Sequence, residues 1–143
     1  MMSFDTNVLL YALNADCPEH AAARAFLDEC AARDDVVVAE LVLIELYTLL
    51  RNPAVLAAPL AAPAAVAVCQ GFRRNPRWAL VESAPVMDEV WRRAARPRVA
   101  RRRIFDARLA LTLRHHGVTE LATDNVRHFD DFGFVRVFSP VRR

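Results

Sequence analysis

The chain has 143 residues, a net charge of +2 and a hydrophobic fraction of 55%. That length suits one domain, able to bury roughly two thirds of its unfolded surface. No apolar run nears the roughly 20 residues that span a bilayer, so 1–143 is read as a single cytoplasmic domain with no membrane segment. The N-terminus, with Asp5 in place and no leading basic residue, lacks a signal-peptide pattern. Cys17, Cys30 and Cys69 are odd in number and widely spaced, so they read as free thiols. All 19 basic residues are Arg, and eight fall between Arg92 and Arg108. Arginine's planar fork suits phosphate, so the cluster points to nucleic acid; composition bias and a solvated helix face are the alternative.

In chain order, Met2 to Phe4 predict a short strand, and Asp5-Thr6-Asn7 supplies capping side chains for a helix through Val8 to Leu13. A second helix is expected over Pro18 to Arg33 and a buried strand at Val36 to Ala39. Glu40 to Arg51 is nearly apolar all round, which predicts a helix buried on most sides, ended by Asn52-Pro53. A further helix follows over Pro63 to Arg74, and a strand at Trp78 to Val81. Pro85 to Ala95 reads as an amphipathic helix. Arg102 to His116 is another, with Ile104, Phe105, Leu109, Leu111 and Leu113 as its apolar side and Gly117 as its cap. Leu121 to Thr123 and Val135 to Phe138 are the last strands. Short strands alternating with helices mean a mainly parallel sheet between helical layers, an α/β fold.

Four acids stand out: Asp5, Glu45, Asp106 and Asp124. Glu45 lies between Ile44 and Leu46 in the apolar helix, and a buried carboxylate is paired, protonated or metal-bound. A salt bridge to an arginine, or a route to solvent, would also satisfy it. Asp5 and Asp124 each follow a strand, at the sheet edge where ligands bind in such folds; helix capping is the alternative for both. Asp106, near a helix start, has the helix dipole as its alternative. Converging acids repel each other without a cation, and an oxygen donor set with no matching Cys or His points to a hard ion, Mg²⁺ or Mn²⁺. Such an ion supports phosphodiester hydrolysis. His115 and His116 read as helix-end residues, and His128 as part of the turn before Phe129.

These residues resemble the PIN-domain ribonucleases, and within them the VapC-type toxins. Phe4-Asp5-Thr6-Asn7 is similar to the family's opening motif, and Leu43-Ile44-Glu45-Leu46 to its helical glutamate. Arg51-Asn52-Pro53 also matches a bacterial branch. Phe105-Asp106-Ala107-Arg108-Leu109-Ala110 resembles the third motif, and Leu121-Ala122-Thr123-Asp124-Asn125 with His128-Phe129 the fourth. The resemblance implies a three-layer α/β/α PIN-like domain with a short-stranded central sheet. It also implies a Mg²⁺ or Mn²⁺ site built by Asp5, Glu45, Asp106 and Asp124, led by Asp5 and Asp106, and cleavage of RNA. Thr6, Asn7, Thr123 and Asn125 would support the carboxylates or orient water. A homodimer, or a hetero-oligomer with a cognate antitoxin protein, is implied as well. Val99 to Arg103 departs from the pattern in having no Gly. Arg101, Arg102, Arg103 and Arg108 are the candidates to hold the RNA backbone. The other readings are an RNA-processing nuclease of the same fold without an antitoxin, and a non-catalytic module that binds nucleic acid through its arginines.

Overall fold

The structure, a computed structural model, describes residues 1–142. Five short strands and six α-helices follow the expected order. β1 (Met2–Phe4) leads into α1 (Thr6–Leu13) and α2 (His20–Ala31); β2 (Val37–Ala39) leads into α3 (Glu40–Leu50) and α4 (Ala62–Arg73). Next come β3 (Ala79–Val81), α5 (Met87–Ala94), α6 (Arg103–His115), β4 (Glu120–Ala122), a 3-10 turn (Val126–Phe129) and β5 (Arg136–Phe138).

Among the described residues every ladder is parallel: β1 with β4, β4 with β5 and β2 with β3. A bridge from Met2 to Val36 joins the two groups, giving the order β3-β2-β1-β4-β5. The chain therefore works outward from β1 to β3, then crosses back to β4 on the other side of β1. Right-handed crossovers put α1 to α4 on one face and α5 and α6 on the other, the three-layer arrangement expected. The reversal places a switch point between β1 and β4, and Asp5 and Asp124 follow those two strands.

The core forms where the strands are apolar on both faces. Met2, Phe4, Val36 and Val38 are all but inaccessible, as are Leu9, Leu46, Leu50, Leu113 and Phe129 from the flanking elements. Phe4 meets the edge of Trp78 at 5.3 Å between ring centres; truncating such a residue to Ala costs about 3–5 kcal/mol. Gly117 ends α6 as expected. Its φ of 83° suits a residue without Cβ, and its N–H donates to the Arg114 carbonyl while the Val118 N–H reaches back to that of Leu113. The three cysteines are free thiols. Among the described residues no helix is long and apolar enough to cross a membrane.

Two expectations about helix faces change. α3 buries only Val42, Leu43, Leu46 and Leu50, while Ile44 is 59% exposed and Glu45 is exposed beside it. The helix packs on the sheet along a single stripe, so an all-round apolar composition did not mean all-round burial. In α6, Phe105 is 63% exposed with the Arg102 guanidinium over its ring. It lies in the first turn, ahead of Ala107, the first α6 residue to be buried.

Candidate active site

The N-terminal end of α1 organises the site. Asp5 has extended backbone, and its N–H continues the β1 ladder by donating to the Ala122 carbonyl at 2.9 Å. The chain then turns into the helix, leaving Asp5 as a whole 8% exposed. Its Oδ1 accepts from the Thr6 N–H at 2.7 Å and its Oδ2 from the Thr123 hydroxyl at 3.0 Å. Thr123 is fully buried at the end of β4, and its own N–H is anchored on the Phe138 carbonyl.

The Thr6 hydroxyl faces the other way and donates to Glu45 Oε2 at 3.0 Å. One threonine thus touches Asp5 through its amide and Glu45 through its hydroxyl, drawing the exposed face of α3 to the end of β1. Asn7 links β4 to α1: its Nδ2 donates to Thr123 Oγ1 at 3.4 Å, and its Oδ1 accepts from the Asp124 N–H at 3.2 Å. The Asn125 N–H also donates to Thr123 Oγ1, at 3.1 Å. Thr6, Asn7, Thr123 and Asn125 therefore form one polar lattice around Asp5.

Asp106 comes from the first turns of α6, half-buried. His128 Nδ1 lies 3.0 Å from its Oδ2 and Arg103 Nε 3.4 Å from the same oxygen. The Arg103 Nε sits off the hydrogen-bond direction and has no hydrogen-bond partner, while its terminal nitrogen donates to the His128 carbonyl at 2.8 Å. The 3-10 turn after β4 is thereby fastened to the start of α6. Sequence reasoning assigned His128 only to its turn; its spacing four residues after Asp124 was the available signal.

Electrostatics separates the acids. Burial pushes the Asp5 carboxyl up to about 6; the Thr6 and Thr123 hydrogen bonds oppose this, and the charges of Glu45 and Asp106 add to it. Asp106 is also raised, by burial first, against His128 and Arg103. Asp124 moves down, chiefly through the Arg142 guanidinium, with Ser139 and Tyr11 assisting. Arg142 donates to both of its oxygens, at 2.6 and 2.9 Å, Ser139 Oγ to Oδ1 at 3.0 Å and the Tyr11 hydroxyl to Oδ2 at 3.2 Å. Tyr11, Ser139 and Arg142 were not anticipated; Tyr11 follows Asn7 by one helical turn, and the other two lie in the tail, where no periodicity marks them.

The structure thus places Glu45 and Asp106 within electrostatic reach of Asp5 and engages Asp124 in a neighbouring group. Among the described residues no three His, Cys, Asp or Glu side chains already converge on one metal-sized point. The donor set is nonetheless carboxylate oxygen, and the raised Asp5 and Asp106 are the groups a cation would relieve. Of the arginines singled out, Arg103 lies on Asp106 and Arg102 on Phe105, whereas Arg101 and Arg108 are exposed.

Comparison with known proteins gives the family of the chain. The chain matches the PIN domain family over residues 2–135. It is 69% identical to Ribonuclease VapC24 of Mycobacterium tuberculosis over 141 residues, 99% of this chain and 97% of that protein. Among solved structures it resembles Mycobacterium tuberculosis VapC20, a Sarcin-Ricin loop cleaving toxin, with a TM-score of 0.68 and 20% identity, covering 94% of this chain and 97% of that one. DNA-bound VapBC from Salmonella typhimurium gives a TM-score of 0.62 at 18% identity, with 97% of each chain covered. The chain belongs to the PIN-domain family and, within it, to the VapC ribonucleases.

Proposed function

We propose that the chain, 1–143 acting as one cytoplasmic nuclease domain, is a metal-dependent endoribonuclease and the toxin of a toxin–antitoxin pair. The observation that carries this reading is the 69% identity to Ribonuclease VapC24 across 99% of the chain. The buried Asp5, its carboxyl raised beside the charges of Glu45 and Asp106, supports the location of the chemistry.

Asp5, Asp106 and Glu45 would hold Mg²⁺ or Mn²⁺, with Asp124 joining them once released from Arg142. The ion would polarise the phosphodiester and make a bound water more acidic. The protein's own part is orientation. The Thr123 hydroxyl and Thr6 amide fix the Asp5 oxygens, the Thr6 hydroxyl fixes Glu45, and Asn7 and Asn125 hold Thr123 in place. His128 and Arg103 both meet Asp106 at Oδ2 and would hold its carboxylate toward a bound cation. Such indirect partners orient the ligands, and their loss costs about 10- to 100-fold in metal affinity or activity. Arg101, Arg102, Arg103 and Arg108 flank Asp106 and would meet the backbone of the RNA substrate.

An antitoxin partner, or a second copy of the chain, is supported by the exposed Ile44 and Phe105 next to Glu45 and Asp106. Large apolar side chains beside a polar cleft suit a protein that covers it. Likeness to VapBC points the same way.

The test is cleavage of RNA by the wild type and by Asp5→Asn, with Mg²⁺ or Mn²⁺ added. Cleavage is expected to fall by a factor on the order of 10² or more in the variant, and to stop in excess chelator. Equal activity in both proteins, or full activity in chelator, overturns the reading. Metal titration by calorimetry separates it from a non-catalytic RNA-binding module, which would bind RNA but no ion.

A further inference from the structure

A cluster of arginines lies next to Asp106, in a pocket of about 290 Å³ between the α5–α6 connection and Phe132. Arg93, Arg96, Arg98 and Arg103 line it, against Asp131 as the one lining acid. Three of these arginines are engaged. Arg93 pairs with Glu89 and with Asp131 at 3.2 Å and lies over the Phe132 ring at 4.4 Å; Arg96 pairs with Asp131 at 3.1 Å; Arg103 reaches Asp106. Arg98 differs. It is exposed, makes no ion pair or hydrogen bond among the described residues, and has a φ of 65°, the only non-glycine residue there in the left-handed region. A side chain with a Cβ is disfavoured in that region, and such outliers gather at functional positions.

We propose that this pocket is a subsite for an RNA backbone phosphate next to the scissile one, with Arg98 as its uncommitted cation. The inference rests on the ribonuclease reading for the direction of the strand. Arg103 lines the pocket and also lies 3.4 Å from Asp106 Oδ2, so a strand crossing the acids continues directly into it. Arg98 is the guanidinium left to offer two parallel N–H donors to phosphate oxygens. Arg93 and Arg96 neutralise Asp131, which would otherwise repel the same group. Val99, Ile104 and Phe132 provide an apolar wall for the adjoining ribose or base.

The test measures binding of a labelled single-stranded oligoribonucleotide in excess chelator, where cleavage is stopped, at several salt concentrations. Four proteins are compared: wild type, Arg98→Gly, Arg98→Lys and Arg24→Ala. Glycine accepts the left-handed backbone without penalty, so Arg98→Gly removes the guanidinium and leaves the loop path available. It is expected to weaken binding about 3- to 10-fold at low salt and to lower the slope of log K against log salt by about 0.7, the value for one single-strand phosphate contact. Arg98→Lys keeps the charge, so its slope should match wild type while affinity falls by a smaller factor. Arg24, exposed on α2 and paired with Asp28, controls for loss of a distant charge and should leave binding unchanged.

Wild-type affinity and slope in Arg98→Gly, an equal loss in Arg24→Ala, or no RNA binding at all would each overturn the subsite. If the wild type cuts RNA while Arg98→Gly binds like it, the subsite falls and the nuclease reading stands. If binding depends on Arg98 but nothing is cut with metal present, the nuclease reading falls and the subsite stands.

Discussion

Asp5 and Asp124 follow neighbouring parallel strands, yet their carboxyls are driven in opposite directions. Asp5 is surrounded by neutral donors and by two further acids, and burial raises it to about 6. Asp124 sits under a guanidinium that donates to both of its oxygens, and it is lowered. Position at the sheet edge is common to both, so the difference comes from compensation. One acid keeps an unmet need for positive charge, and the other has that need met by the chain's own tail. An open cation site is expected beside the raised acid, and a site that must first be uncovered beside the lowered one.

The strongest way to break this contrast is to titrate stability without metal. A carboxyl raised on folding contributes stability that is whole below its unfolded pKa of 3.8 and is lost as pH rises through about 6. The metal-free protein should therefore lose about 3 kcal/mol between roughly pH 4 and 6, since a tenfold change in proton affinity is worth about 1.4 kcal/mol. Asp5→Asn should flatten that window in denaturant unfolding curves; an unchanged pH slope would show that Asp5 is not the desolvated group. Asp124 acts at the other end. Its folded pKa is lowered, so its contribution is present above about pH 4 and disappears as the solution is acidified further.

A smaller effect tests the lattice that holds Asp5. Thr123→Val removes the hydroxyl that donates to Asp5 Oδ2 and receives the Asn125 amide, and should reduce RNA cleavage by roughly 10- to 100-fold, the usual range for an indirect ligand partner. Thr123→Ser restores the hydroxyl and should remain near wild type; equal losses in both would point to packing alone. The smallest effect is on the other acid. Arg142→Ala should let the Asp124 carboxyl rise back toward its ordinary range, read by NMR titration, with the Asp5 carboxyl unmoved. A joint movement of both would mean that the two neighbourhoods are electrically one.

Much of this architecture was legible because it depends on local chemistry. Short apolar runs marked the strands, β-branched throughout only at Val36 to Val38, while Gly117 marked the end of α6 and Asp5-Thr6-Asn7 marked the turn into α1. The position of Glu45 was legible too, though the reason given for it was not: composition around Ile44 and Leu46 suggested burial, and only the docking angle of α3 decides that Glu45 lies on the outer face. Phe105 misled in the same way, in the first turn of α6 ahead of its buried residues. The arms that reach Asp124 and Asp106 were hidden for a different reason. Ser139 and Arg142 meet Asp124 through tertiary placement of the tail, which no spacing rule encodes, and His128 meets Asp106 across the fold, so its spacing from Asp124 marked the residue but not its partner.

The edge contact between Phe4 and Trp78 has a use outside folding. The chain has two tryptophans. The Trp78 indole is half-buried, donates to the Cys30 carbonyl at 3.0 Å and stacks on Phe72; Trp91, on α5, is 62% exposed. Their emission therefore separates into a shielded component and one open to a dissolved quencher. Because Phe4 is bonded directly to Asp5, the shielded component reports on the seat of the first carboxylate, and the quenchable one on the helix that leads into the arginine loop.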